Sequence, residues 1–208
     1  MFNKVQSALI LCLCFAWSSH ANLVETIGKI KPSVVGVGVY TPLGQPRNEL
    51  RGTGFAVADG QYVVTNKHVL PEVLDEELNQ KMVVFVGNGK DAKPRNATIV
   101  DSDLVHDLAL LKVEGNALPP MSLAKDKFIK EGSTIAFTGF PIGAILGLYP
   151  VNSGSAMYNQ HTGEVIGVIN KVFVQDTKEG AISNPSGITY AIPVKWVREL
   201  LKKNNVAI

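Results

Sequence analysis

The sequence has 208 residues, 46% of them hydrophobic and 18% charged, with a formal net charge of +2. That length suits one domain or two small packed ones, and that hydrophobic share excludes a disordered chain. So small a net charge gives nucleic acid and anionic membrane surfaces no electrostatic hold, and neither is expected as a partner.

The N-terminal stretch has the pattern of an export signal. Lys4 supplies a short positive start, Ala8 to Trp17 form an apolar run, and Ser19-His20-Ala21 puts small residues where a signal peptidase reads them. Residues 1–21 are therefore expected to be removed. The run is too short to span a bilayer, so no stable membrane anchor is expected afterwards. An uncleaved anchor or a core helix is the alternative. Both cysteines, Cys12 and Cys14, lie inside this stretch, and Leu11 and Leu13 suit a lipid-modified cysteine poorly. The remaining chain then has no disulfide, which for an exported protein points to a bacterial periplasm or exterior.

Beyond Leu23 the pattern is one of short strands separated by turn residues. Ser33 to Tyr40 alternates and is rich in valine. Gly52 to Ala58 and Tyr62 to Thr65 form a hairpin across Asp59-Gly60. Met82 to Val86, Ala97 to Asp101 and Leu108 to Val113 complete about six strands, enough for one small antiparallel barrel. Gly115 to Ala124, with Pro119-Pro120, reads as a linker, so the chain divides into residues 22–114 and 115–208. Strands follow at Thr134 to Gly139, Glu164 to Val174 and Gly187 to Ile192. A last helix is expected with Pro193 at its first position, Val194, Val197, Leu200 and Leu201 on one face, and Lys202 and Lys203 near its C-terminal end.

Three residues stand where chemistry could be done. His68 ends the strand YVVT and enters a short helical turn, the rigid support a general base needs. Alone, such a histidine is more often a capping or core residue. Asp107 abuts the apolar strand LALL, where a half-buried carboxylate can fix an imidazole's tautomer, although Asp101, Asp103 and His106 are close by and a turn role is equally open. Ser153, in Asn152-Ser153-Gly154-Ser155, precedes a strand and has small neighbours, so its hydroxyl can be exposed beside backbone amides. The same string also makes ordinary turns. His20, His68, His106 and His161 lack ligand spacing such as His-Glu-x-x-His, so a metal-dependent hydrolase is set aside and no cofactor is expected.

In order and spacing, the stretches GTGFAV, YVVTNKHVL, DLALLKVEG, NSGSAMYN, GEVIGVIN and GITYAIPV resemble trypsin-like serine proteases, particularly the high-temperature-requirement (Deg-type) branch, over roughly residues 24 to 203. The resemblance implies an all-β protease domain of two antiparallel barrels with a C-terminal helix and a cleft between the barrels. It implies hydrolysis of extracytoplasmic polypeptides, with His68 as base, Asp107 as its orienting partner and Ser153 as nucleophile. Backbone amides of Val151 and Ser153 would form the oxyanion hole, and Ile166, Gly167, Val168, Asn170, Thr189, Tyr190 and Ala191 would wall the substrate site. Two departures accompany it. Val151 stands where the family usually has glycine, and Ser153 follows only ten residues after Gly143, so the second barrel is expected to be incomplete. A pseudoprotease or peptide-binding relative is the alternative function.

Overall fold

The computed structural model describes residues 23–87, 91–125, 129–140, 153–174 and 185–208, the side chains of 171–174 and 185–189 excepted. The expected export signal, Val151 and the short interval before Ser153 lie outside the described residues.

The elements in order are α1 (Leu23–Ile30), a 3-10 turn η1 (Lys31–Ser33), β1 (Val34–Tyr40), β2 (Asn48–Val57), β3 (Tyr62–Thr65), a 3-10 turn η2 (Lys67–Val69), β4 (Lys81–Val86), β5 (Lys93–Asp103) and β6 (Leu108–Val113). After these come β7 (Ile135–Thr138), β8 (Ala156–Asn159), β9 (Val165–Val174), β10 (Pro185–Pro193) and α2 (Val194–Lys203). The first six strands close into an antiparallel barrel in the order β1-β2-β3-β6-β5-β4. The other four form a sheet in the order β10-β9-β8-β7, all antiparallel.

Why LALL and FAV read as unbroken apolar runs is now plain. Strand side chains alternate between faces, and these strands are buried on both. Ala56, Val63, Ala109 and Leu111 fill the barrel with Val35, Val37 and Val84. Their strand neighbours Phe55, Val57, Val64, Leu108 and Leu110 point outward into a second core. There they meet Ala156, Tyr158, Val165 and Val168 of the sheet and Val194, Val197, Leu200 and Leu201 of α2. The two sheets and the terminal helix therefore share one hydrophobic cluster. Burying each such large side chain contributes about 1.5–3 kcal/mol before entropy is charged against it.

Several boundaries differ from expectation. β2 begins at Asn48 and β5 runs from Lys93 to Asp103, because polar, exposed residues continue ladders that hydropathy alone cannot trace. The linker lies on the barrel: Leu118 and Met121 donate their amides to the carbonyls of Gly60 and Ala56. Helix α1, which buries Thr26 and Ile30, was not expected, since eight residues offer little periodicity. Pro193 ends β10 with ψ 142 and sits as the N-cap of α2, one residue before its expected place. No helix among the described residues is long and apolar enough to cross a membrane.

Candidate active site

The strand β3 ends at Thr65, and the chain turns through Asn66 into η2, which carries His68. Asp107 lies in the turn before β6, the strand paired with β3, so register alone brings the two together. Its backbone is left-handed, with φ 52, a conformation aspartate tolerates better than most residues. The contact is many-pointed. His68 Nδ1 and Asp107 Oδ2 are 2.6 Å apart, and the His68 amide donates to Asp107 Oδ1 at 2.9 Å. The Asp107 carbonyl accepts from the Lys67 amide at 3.1 Å and from Asn66 Nδ2 at 2.9 Å. A carboxylate so placed holds the proton on Nδ1 and leaves Nε2 able to accept one. The imidazole is 36% exposed and the carboxylate 24%, so the ring is open to an incoming molecule while its partner is more covered. Arg51 Nε donates to the Val69 carbonyl at 2.9 Å and fastens the other end of η2.

Ser153 arrives from the second half of the chain. Its carbonyl accepts the Thr53 amide of β2 at 2.9 Å, and the Gly154 amide donates to the Ile169 carbonyl of β9 at 2.9 Å. Thr53 is a hub with no exposed surface. Its carbonyl takes the Thr65 hydroxyl at 2.7 Å, and its own hydroxyl takes the Phe140 amide at 3.0 Å. Gly52 lies between the two halves of the site, where any Cβ would press on Val69, beside His68, and on the Ser153 carbonyl. The hydroxyl of Ser153 donates to the Asn170 carbonyl at 2.8 Å.

The residues expected to wall a substrate site lie on β9 and β10, with different surroundings. Val168 is fully buried in the shared core, so its side chain faces no cleft. Gly167 pairs with Met157 and Pro193, and Ala191 with Ile169. Ile166 lines a cleft of about 340 Å³ with Lys125, Ile129 and Glu164. Asn170 meets Ser153 through its carbonyl, and its Oδ1 is buried without a partner among the described residues. Thr189 pairs through its backbone with Val172, and Tyr190 is 58% exposed.

A second histidine–carboxylate pair stands beside the first and was not singled out from the sequence. His106 Nδ1 lies 2.6 Å from Asp103 Oδ2, and its ring stacks on Trp196 of α2 with centroids 3.6 Å apart. The i, i+3 spacing of an aspartate and a histidine in a turn was the available signal. Burial pushes the Asp103 carboxyl up, but hydrogen bonds from His106 outweigh that and hold it below the usual range. Asp101 is also held low, first by its bond to Lys203 and then by Asn204.

Residues 52–147 match the family model of the trypsin-like peptidase domain, a stretch that contains His68 and Asp107 and ends before Ser153. A DegP-like probable periplasmic serine endoprotease of Halomonas elongata is 29% identical over 170 residues, covering 69% of this chain and 32% of the relative. One of the same description from Hahella chejuensis is 26% identical over 191 residues, covering 79% and 37%. The chain thus spans about a third of the length of the curated relatives it matches. Among solved structures, the serine endoprotease from Yersinia pestis superposes with a TM-score of 0.63 at 23% identity, over 88% of this chain and 66% of the other. The HtrA-type protease AlgW, solved with a decapeptide, gives a TM-score of 0.63 at 22% identity, over 88% and 67%. At these identities the two structures speak for the fold alone. The chain is thus similar over residues 52–147 to the trypsin-like peptidase domain and over most of its length to DegP-like serine endoproteases, and it shares the fold of the two solved proteases.

Proposed function

We propose that this chain is a serine endopeptidase that cleaves extracytoplasmic polypeptides in a bacterial periplasm. His68 acts as general base and then acid, Asp107 orients it and favours the imidazolium, and Ser153 attacks the peptide carbonyl. The observation that carries the reading is the short His68–Asp107 pair with its imidazole exposed, next to a serine turn tied to β2 by the Thr53 amide. In the resting arrangement the Ser153 hydroxyl donates a hydrogen bond to the Asn170 carbonyl. Reaction then begins with rotation of that side chain to another staggered well, exchanging one neutral hydrogen bond of about 1 kcal/mol for a bond to His68 Nε2. The amide of Ser153 would face the developing oxyanion, with the Val151 amide as the second donor. The periplasmic assignment follows the signal-like N-terminus and the relatives' description as probable periplasmic endoproteases.

The test is hydrolysis of casein by the purified protein. Turnover is expected, unaffected by a chelator and abolished by Ser153→Ala. Turnover that survives Ser153→Ala, or no turnover at all from the folded wild type, would defeat the reading.

A further inference from the structure

The turn that presents Asp107 has little packing of its own. Leu104 and Val105 at its tip are 77% and 86% exposed. Its shape comes from Asp103, whose Oδ1 accepts the amides of Val105 and His106 at 2.9 and 3.0 Å while Oδ2 holds the His106 imidazole. That imidazole lies flat on Trp196, with 21° between the ring planes. Two residues before Asp103, Asp101 pairs with Lys203 Nζ at 2.8 Å and with Asn204 Nδ2 at 2.9 Å. Helix α2 therefore grips the end of β5 and the following turn at two points about two helical turns apart. The residue after His106 is Asp107, held left-handed at φ 52.

We propose that Asp103, His106 and Trp196 form a positioning clamp through which α2 fixes the turn that aims Asp107 at His68. This deepens the proposed function and rests on the reading of His68 and Asp107 as base and orienting acid. In this role none of the three clamp residues needs to touch the substrate. Their effect passes through the peptide joining His106 to Asp107, since an orienting carboxylate loses its effect when it shifts by a fraction of an ångström. Lys195 Nζ sits 4.4 Å from the Trp196 ring and adds a cation to the same stack.

The test compares wild type, His106→Ala, Trp196→Ala, Trp196→Phe and Asp107→Asn. The readouts are kcat and KM on a peptide substrate, thermal melting, and the far-downfield proton resonance of the His68 Nδ1–carboxylate bond. Wild type is expected to show two such resonances, one from each short pair, and His106→Ala removes its own. In His106→Ala and Trp196→Ala the His68 signal is expected to broaden or move upfield, with kcat down roughly ten- to hundredfold and KM little changed. Trp196→Phe, which keeps a stacking ring, is expected to restore both.

If Asp107→Asn leaves kcat intact, the triad reading itself falls. If Asp107→Asn destroys activity while the clamp variants lower only the melting temperature and keep the wild-type His68 signal, the clamp alone falls. Should the wild type show no turnover, the His68 resonance still decides the clamp: an unchanged signal in His106→Ala and Trp196→Ala overturns it.

Discussion

Gly154 meets two demands that only a glycine can meet together. Its φ is +87, and a Cβ there would collide with the Thr53 carbonyl and the Thr65 hydroxyl. Gly154→Ala is therefore expected to lower stability by roughly 1–3 kcal/mol for the backbone alone, more with the collision, and to displace Ser153. Chemical denaturation with parallel activity measurements would check it, and a variant as stable and active as wild type would contradict it. At this scale the sequence was uneven. A histidine in the turn after a valine-rich strand and an aspartate just before an apolar one are placed by strand ends, so the position of each was readable. That the Ser153 hydroxyl bonds the Asn170 carbonyl depends on how β9 passes the serine turn, and no local pattern encodes it. The Asp103–His106 pair was visible only as a crowd of polar residues, because its purpose lies in a stack on a tryptophan ninety residues away.

Strands buried on both faces were the easiest elements to find. Valine and leucine runs announce β1, β3 and β6, whereas the outer ends of β2 and β5 carry Asn48, Glu49, Lys93 and Arg95, which hydropathy assigns to loops. Helix α2 was legible for the opposite reason, with four apolar residues at helical spacing, all buried. Leu201 has no exposed surface and packs in the cluster shared by barrel, sheet and helix. Leu201→Ala is expected to cost about 2–5 kcal/mol and to be read as a lower denaturation midpoint with unchanged slope. In β8, Tyr158 is fully buried and its hydroxyl bonds Thr138 on β7 at 2.7 Å. Tyr158→Phe is expected to cost about 1 kcal/mol by leaving the half-buried Thr138 hydroxyl short of a partner.

Across the whole molecule, the barrel and the four-stranded sheet are held together by a common core and by the polar ties of Thr53 and α2 to opposite sides of the site. Asp101 and Asp103 belong to those ties, and both carboxyls lie below the ordinary value of 3.8. A carboxyl lowered in the folded state contributes stability that is complete above its unfolded value and lost as pH falls through the folded one. The melting temperature is thus expected to drop on acidification below about pH 4, and to drop less steeply in Asp101→Asn. The account as a whole depends on Ser153 and His68 acting as one unit across the two halves. Its most direct test is peptide mapping by mass spectrometry after treatment with a fluorophosphonate. Stoichiometric modification at Ser153 in the wild type, reduced to background in His68→Ala, is the expected result; a folded wild type left unmodified, or labelling of Ser153 indifferent to His68, would contradict it.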